Sequence, residues 1–464
     1  MSSVTTTDLS MSLQQLATCI IRLVVEAKTN GEIKPTEESY YQVKFKGFQY
    51  TSDGPKYESA QGSDTHRPTW YYAPPSVSAA VQHLPQYGIT INLLTATMGD
   101  GAKATSYLEQ FTNGVIRHGV QTDPITNSVL ENIVPRFLKD VRGEAQEAIA
   151  DAKLEGVVVG LPEAAFEAER ARVLLRQICL ADIEKERPLV PFHPSSPFLD
   201  VPTAILRIQR QVHDTGELQR EVARAVCILR LFRVSSARCS SFQWTSDSII
   251  GFRSGTFYEA PRFSALEKAS LSEKDLAQMP TFWRTLAPRI PRSFFDPIEK
   301  ETGPTTISFQ RYSDALLLNS GFGSRVASAV MALEALFLGD GETQEMTYRL
   351  GMRLGALMNA LSLDPVRSYK VVKTAYPIRS HFVHGSTQSA SVIKKLKSQF
   401  GGGDVFMRAL LEEVRTSIIS FLCLQMDKKK FLILLDEAML SNSHRSRLFE
   451  CVQNAKTLLK PFEA

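Results

Sequence analysis

The proline-rich segment 188–197 constrains the fold of this 464-residue chain more than any other feature. It holds four prolines within ten residues and shows no hydrophobic periodicity. Each proline fixes its backbone φ angle and lacks an amide donor, so a helix or a central strand cannot run through the segment. We therefore predict a domain boundary or a linker at this position.

Patterns before the prolines predict a mixed α/β unit. Apolar residues at helical spacing predict an amphipathic helix over residues 9–28, and alternation over residues 39–50 predicts a strand. Residues 51–75 are rich in Ser, Gly, Asp and Pro, which predicts a long loop. The apolar, β-branched run 89–96 predicts a second strand.

An alanine-rich helical pattern from about residue 133 to 183 completes this part of the chain, and we assign residues 1–190 to one N-terminal domain. Its role, sensory or regulatory, is not specified by its residues. Beyond the prolines, the pattern predicts a long helix over residues 201–232 and short strands over residues 240–257. We assign residues 200–304 to a connecting subdomain.

The last third of the chain, residues 305–464, has helical patterns throughout. The predicted fold class is therefore a multidomain α+β chain with an all-α helical bundle behind a mixed α/β N-terminal region. This last third carries 20 Lys and Arg against 14 Asp and Glu, whereas the whole chain has 53 against 49. The basic excess predicts a polyanionic partner for this domain, although an excess of this size is also ordinary.

The six cysteines lie far apart and form no C-x-x-C pair, which argues against a zinc ribbon and against a disulfide framework. We therefore expect a reducing, cytoplasmic environment. The N-terminus lacks a basic segment and a cleavage-site pattern, and the apolar run 13–25 is interrupted by Gln14, Gln15 and Arg22. We expect no secretion signal, membrane span, metal or cofactor.

The segment Tyr376–Gly385 carries the clearest chemical pattern in the chain. Arg379 and His384 lie five positions apart, and Gly385 suits the left-handed position after a helix end. An arginine stabilises the charge that builds on a phosphate during transfer, and a histidine moves protons near neutral pH. No metal-ligand cluster lies nearby in the sequence. Because RNA supplies its own nucleophile, the 2′-hydroxyl, this pair predicts a metal-independent ribonuclease site.

Helix geometry limits how these residues can meet. Pro377 either begins a helix or kinks one that is already running. On a helix, Arg379 and His384 are about 140° apart, whereas Ser380 and His384 share a face. Ser380 is therefore expected to orient the imidazole ring of His384. His381, three positions before His384, is a rival proton carrier.

The segment resembles the R-x4-6-H motif of the HEPN superfamily, and its surroundings are similar to Apea-like members of that family. Upstream, the run around Glu334 and the arginine-bearing run 348–357 follow the order of helices that precedes the motif in the family. Downstream, residues 407–424 and 431–440 are similar to the helices that follow it. The resemblance covers about residues 305–464 and implies a HEPN helical bundle there.

In that family the motif usually meets its own copy, so the resemblance implies a homodimer with a composite endoribonuclease site. It implies that His384 acts as general acid or base and that Arg379 stabilises the phosphate, leaving 2′,3′-cyclic phosphate and 5′-hydroxyl ends. Ser380 stands where the family commonly has Asn, Asp or His. Glu334 is expected to support the site by pairing with Arg379 or Arg353.

The resemblance also implies a role in prokaryotic antiviral defence, abortive infection or toxicity, with RNA as substrate and a regulatory protein or phage trigger as further partner. Alternatives stay open: a catalytically inactive dimerisation or RNA-binding module, or a nucleotide-binding sensor in which Arg379 reads a phosphate. Arg379 and Glu334 can equally form a structural pair, and His384 can be an ordinary helix-terminal residue.

Two lysine clusters are candidates for contact with RNA phosphates. Clusters of this kind also occur as solvated faces of ordinary helices, and that interpretation stays open. The candidate RNA-binding residues are Lys394, Lys395, Lys397, Lys428, Lys429 and Lys430.

Overall fold

The structure is a computed structural model of this chain. It describes residues 6–33, 35–43, 47–51, 54–58, 62–71, 73–121, 128–159, 163–168, 171–177, 204–248, 254–258, 268–296, 303–317, 321–342, 344–385 and 390–459. Within these ranges the chain forms a helical N-terminal unit, a six-stranded antiparallel sheet and a C-terminal helical bundle. The predicted α+β class is confirmed at this coarse level.

The N-terminal unit has a core of its own. Leu13, Leu16 and Ile20 are fully buried on one face of the first helix, which confirms the amphipathic helix predicted over residues 9–28. Burial of each large apolar side chain stabilises the unit by roughly 1.5–3 kcal/mol. The helices are α1 (Thr6–Thr29), α2 (Pro75–Gln82), α3 (Pro85–Met98), α4 (Gly101–Gln121) and α5 (Ser128–Val141).

Four strands lie between α1 and α2: β1 (Pro35–Val43), β2 (Gly47–Thr51), β3 (Gly54–Glu58) and β4 (Gly62–Tyr71). β1 pairs antiparallel with β4, and β2 pairs antiparallel with β3. The strand predicted over residues 39–50 is confirmed as two strands, β1 and β2. The loop predicted over residues 51–75 is wrong for residues 54–58 and 62–71, because backbone pairing with neighbouring strands outweighs the loop-like composition there.

The strand predicted over residues 89–96 is also wrong, since this run lies inside α3. A short apolar run does not distinguish a strand from a buried helix, and the flanking residues decide. Pro85 occupies the first helical turn, and Gly99 ends the helix in the left-handed conformation with φ of 70°. Leu94 is fully buried against the rest of the unit.

The sheet has the strand order β11–β10–β5–β9–β8–β7, and every neighbouring pair is antiparallel. A short parallel pair, β6 with β12, lies beside it. Two helices accompany these strands, α6 (Thr215–Phe232) and α7 (Glu273–Leu286). The strands are β5 (Gln146–Glu155), β6 (Val157–Val159), β7 (Glu163–Ala168), β8 (Ala171–Gln177), β9 (Ala204–Val212), β10 (Arg238–Ser246), β11 (Ser254–Tyr258) and β12 (Ala269–Leu271).

The helices predicted over residues 133–183 are wrong where the structure describes β5 to β8, and β5 shows why. Ala148, Ala150 and Ala152 are buried, while the residues between them are partly exposed. This alternation is the period of a strand, and alanine is small enough to suit either a strand or a helix. The helix predicted over residues 201–232 is confirmed only from Thr215, because β9 occupies its first part. The strands predicted over residues 240–257 are confirmed as β10 and β11.

The sheet combines strands from both sides of the predicted boundary at residues 188–197. β5, β7 and β8 precede the prolines, whereas β9, β10 and β11 follow them. A single sheet therefore spans the position of the predicted division between residues 1–190 and 200–304, and that division stays a prediction. The prolines themselves lie outside the described residues. Prolines interrupt a strand, but they do not prevent the chain from returning to the same sheet.

Every described element from residue 303 to residue 459 is a helix, as predicted for the last third of the chain. The helix Gly403–Cys423 is buried on most of its surface from Phe406 onwards. None of the helices in the described part of the chain is long and apolar enough to cross a membrane. The helices are α8 (Pro304–Leu317), α9 (Phe322–Phe337), α10 (Met346–Ala360), α11 (Pro365–Val383), α12 (Ala390–Phe400), α13 (Gly403–Cys423), α14 (Lys428–Ala438), α15 (Asn442–Cys451) and α16 (Gln453–Leu459).

The bundle and the sheet share one continuous hydrophobic core. Arg415 of α13 is buried and donates hydrogen bonds to the carbonyl oxygens of Leu231 and Phe232, at 2.9 and 3.2 Å. These carbonyls belong to the last turn of α6, where an arginine also complements the helix dipole. The rings of Phe294 and Phe309 stack with centroids 4.3 Å apart. These polar and aromatic contacts fix the bundle to α6 and to the segment that follows α7.

Candidate active site

The arginine–histidine motif lies on the last two turns of α11. Asp364 caps the start of this helix by accepting hydrogen bonds from the amides of Val366 and Arg367, at 2.9 and 3.1 Å. Pro377 lies inside the helix, which settles its position as an internal residue rather than the first one. Pro377 and Lys373 are both exposed. The proline lacks the N–H group that would bond to the carbonyl oxygen of Lys373, four residues earlier in the helix.

The end of α11 places the histidine in solvent. The amide of His384 donates to the carbonyl oxygen of Ser380 at 3.0 Å, which closes the last turn. Gly385 follows with φ of 66°, a left-handed conformation that strains side chains other than glycine, so the predicted cap is confirmed. His384 is therefore exposed at a helix C-terminus.

Arg379 points back towards α9 and meets Glu334 there. Its Nη2 atom lies 3.4 Å from Oε2 of Glu334, so the pair expected from the sequence is present. The hydroxyl group of Tyr376 donates to Oε1 of the same carboxylate at 2.7 Å. The guanidinium also lies 5.7 Å from the centroid of the Tyr376 ring. Three residues on two helices thus form one cluster.

The residues of this cluster are mostly buried, which affects the strength of their ion pair and the pKa of Tyr376. The side chains of Arg379 and Glu334 are only 24% and 16% exposed, so their interaction is less screened than that of a surface pair. Burial, followed by the hydrogen bond to Glu334, raises the pKa of Tyr376, so its hydroxyl group stays a donor at neutral pH. Among the described residues, Nε of Arg379 has no hydrogen-bond partner, but this atom is buried from solvent. Because the rest of the Arg379 side chain stays partly exposed, a further acceptor can approach the guanidinium there.

Tyr376 is the residue of this cluster that sequence reasoning missed. It lies three positions before Arg379, which places the two side chains on neighbouring turns of one helix face. A tyrosine at that spacing from a motif arginine is the signal that would have identified it.

The other motif residues remain apart from this cluster. Within the described chain, no hydrogen bond joins the hydroxyl of Ser380 to the imidazole of His384, although both lie on α11 or at its end. His381 is half-buried, whereas His384 is exposed. Arg379 packs against α9 and His384 faces solvent, so one chain presents the two motif residues in different environments.

Two apolar side chains stand exposed directly beside the histidine. Phe382 is 50% exposed and Val383 is 53% exposed, although most large apolar residues of the bundle are buried. Scattered exposed apolar residues are ordinary, but two adjacent ones at the end of a motif helix form a small contact surface. This surface had not been expected from the sequence.

Arg353 has a different role from the one expected. Its hydrogen bonds go to both oxygens of Asp436, both oxygens of Glu342 and the carbonyl of Phe337, with lengths of 2.7–2.9 Å. It is therefore bound to the C-terminal end of α9 and to α14, and it does not pair with Glu334. The hydrogen bond from Arg353 lowers the pKa of Glu342 to about 2. This network stabilises the bundle rather than the motif.

The lysine clusters differ in how available they are. Lys428 donates to the carbonyl of Ala335 at 2.8 Å, and burial lowers its pKa. This contact complements the C-terminal end of α9 and leaves Lys428 poorly placed to meet RNA. Lys430 pairs with Asp427 at 3.3 Å and is largely exposed, and Lys429 is exposed. On α12, the residues Lys394 and Lys397 are exposed and Lys395 is half-buried.

Among the described residues, no group of three or more His, Cys, Asp or Glu side chains is placed to hold a metal ion. No family model, curated protein or solved structure matches this chain.

Proposed function

We propose that this protein is a metal-independent endoribonuclease whose site is built around Arg379 and His384. The 2′-hydroxyl of the RNA attacks the adjacent phosphorus, and the leaving 5′-oxygen departs with a proton. His384 transfers the proton as general base or acid, and Arg379 stabilises the charge on the phosphate oxygens. Ser380 helps to orient the imidazole when substrate is bound. The products carry 2′,3′-cyclic phosphate and 5′-hydroxyl ends.

The single observation that supports this proposal best is the state of the Arg379 guanidinium. It is held by Glu334 and lies beside the ring of Tyr376, which limits its rotamers, while its side chain stays partly exposed. A held and partly exposed arginine is suited to bind a phosphate oxygen with little loss of side-chain entropy.

The proposed site needs two copies of the chain. Within one chain, Arg379 faces α9 while His384 faces solvent, and they are about 140° apart around the helix. In a homodimer with two-fold symmetry, the motif helix of one copy can bring its histidine to the arginine of the other. The exposed side chains of Phe382 and Val383, next to His384, supply an apolar contact for such an interface. In this proposal the exposed lysines of α12 bind the RNA backbone.

The proposed cellular role is prokaryotic antiviral defence, abortive infection or toxicity in the cytoplasm, with the N-terminal part sensing a trigger or restraining the nuclease. The support for this role is the resemblance of the motif and its flanking helices to HEPN sequences. A regulatory protein or a phage component is the expected trigger.

Cleavage of a labelled single-stranded RNA by the purified protein in EDTA tests the activity. We expect Arg379→Ala and His384→Ala each to lower the rate by about 100-fold or more. Matched controls are Lys370→Ala, an exposed cation on the same helix, and His444→Ala, a partly exposed histidine on α15. Both should cleave like the wild type, and fragment ends should carry cyclic phosphate. Full activity of either motif variant would disprove the assigned roles.

A second candidate is a catalytically inactive dimerisation or RNA-binding module. The observation that favours it is the missing hydrogen bond between Ser380 and His384, together with the ion pair that already occupies Arg379. Such a module would bind RNA without shortening it, and its dimer would survive both motif substitutions. Fragments with cyclic phosphate ends would exclude it. The sensor alternative, in which Arg379 reads a nucleotide phosphate, requires nucleotide binding that Arg379→Ala abolishes.

A further inference from the structure

An arginine-lined cavity of about 660 Å³ lies in the sheet unit, away from the motif. It opens between the end of β9, the first half of α6 and the segment 287–295 that follows α7. Its volume lies within the range of small-molecule binding sites. The charged side chains that line it are Arg210, Arg220, Arg224, Arg292, Glu217 and Glu221.

The charges in this cavity do not balance. Four arginines face two glutamates, so the lining has a formal excess of two positive charges. Glu221 is shared, because its Oε1 atom lies 2.6 Å from Arg210 and 3.5 Å from Arg224. In the part of the chain that the structure describes, the guanidinium groups of Arg220 and Arg292 have neither an ion-pair nor a hydrogen-bond partner. Each can offer several N–H donors in the planar arrangement that suits phosphate.

A second cavity of about 460 Å³ adjoins the first. The two cavities share Ala287 and the charged residues Arg210, Glu221 and Arg224, so they meet at this charged group. The second cavity is otherwise lined mainly by aliphatic residues of the sheet and by Trp283 of α7. An indole ring beside aliphatic side chains is suited to contact a flat aromatic ring.

The wall formed by the segment 287–295 is fixed in place. Ser293 and Thr306 share a hydrogen bond of 2.7 Å between their hydroxyl groups, and the side chain of Arg224 donates to the carbonyl of Ala287. Phe294 stacks on Phe309 of α8. The cavity is therefore preformed, and a ligand would lose little free energy in ordering it.

We propose that these joined cavities bind a nucleoside triphosphate. The phosphate groups lie between Arg220 and Arg292, and the base lies in the second cavity against Trp283. The two cavities together match a ligand with one strongly anionic end and one flat aromatic end. This site is independent of the ribonuclease proposal, because none of its residues belongs to the motif cluster.

Calorimetric titration of the full-length protein with ATP, GTP, CTP and UTP tests the proposal. At least one should bind, and Arg220→Ala and Arg292→Ala should each weaken it about 10-fold or more, as expected for loss of a charge-assisted contact. Arg284→Ala, an exposed arginine of α7 outside both cavities, is the matched control and should bind like the wild type. The tryptophan fluorescence of the wild type should change on binding, and Trp283→Phe should remove most of this change.

Several results would overturn the proposal. No heat from any of the four nucleotides would do so, as would unchanged binding in both Arg220→Ala and Arg292→Ala. Inorganic triphosphate that binds as tightly as the best nucleotide would show that no base is recognised. If Arg379→Ala abolished nucleotide binding while both cavity variants bound normally, the nucleotide would bind at α11 and not in the cavities. Because Arg292 is exposed, Arg292→Ala is expected to fold normally. Weaker nucleotide binding in this variant would therefore reflect loss of the contact and not loss of the fold.

Discussion

Replacement of Arg353 by methionine should destabilise the helical bundle strongly. The side chain of Arg353 is 4% exposed and makes five hydrogen bonds to two carboxylates and the end of α9. Methionine keeps the apolar volume but leaves Glu342 and Asp436 without their shared cation. Loss of one partner from a buried pair typically costs 3–5 kcal/mol. Because Asp436 is 46% exposed and can hydrate, we expect about 3 kcal/mol here.

The assay is urea unfolding followed by far-ultraviolet circular dichroism, with Arg349→Met as the matched control. Arg349 is 43% exposed and pairs with the same carboxylate of Glu342 at 3.0 Å, so its loss should cost less than about 1 kcal/mol. The pKa of Glu342 is lowered to about 2 in the folded chain, so its contribution is present above about pH 4.5 and lost as the pH falls towards 2. Arg353→Met should weaken this acid dependence. Equal stabilities and acid profiles for the two variants would refute the reasoning.

Three further predictions concern other parts of the chain. Burial raises the pKa of Glu413 to about 7, so the wild type should lose stability as the pH rises from about 4.5 to 7. Glu413→Gln should therefore be more stable than the wild type by up to about 3 kcal/mol at pH 8. At pH 5 the two proteins should have similar stabilities, and thermal unfolding at both pH values measures the difference. Gly156→Ala should destabilise the sheet by about 3 kcal/mol or more, since Gly156 has φ of 73° and a Cβ atom would lie 2.6 Å from the backbone of Ser236. The control is Gly143→Ala, because Gly143 has a similar φ of 67° but no atom within contact distance of an added Cβ. Gly143→Ala should cost much less stability in the same urea assay. Phe382→Ser should shift the proposed dimer towards monomer in sedimentation experiments without loss of folding. The control is Val366→Ser, because Val366 is also exposed but lies at the start of α11, and this variant should remain dimeric. A dimer unaffected by Phe382→Ser would place the interface elsewhere.

Local signals in the sequence were sufficient for some elements. The apolar stripe of α1 has a helical period, and Gly385 lies where a left-handed residue ends α11. Both features depend on residues close in sequence, so they can be predicted without knowledge of the fold. The sequence left Arg379 and Arg353 as alternative partners of Glu334, and the structure shows the pair with Arg379.

Features that depend on distant partners could not be predicted. The alanines of β5 were assigned to a helix, because their strand period becomes meaningful only when β9 and β10 lie on either side. The prolines of 188–197 indicated a boundary, yet the chain returns to the same sheet after them. The arginine-lined cavity draws residues from β9, α6 and the segment after α7, so no local motif marks it.

The most direct test of the composite ribonuclease site is RNA cleavage by a mixed dimer. One copy carries Arg379→Ala, the other carries His384→Ala, and two different tags allow the mixed dimer to be purified. Both parent dimers should be inactive. The mixed dimer should cleave at about half the wild-type rate, because one of its two sites keeps an intact arginine from one copy and an intact histidine from the other. If the wild type is active but the mixed dimer is as inactive as its parents, the two-chain site is contradicted. If the wild type leaves RNA intact, the proposed activity itself is contradicted.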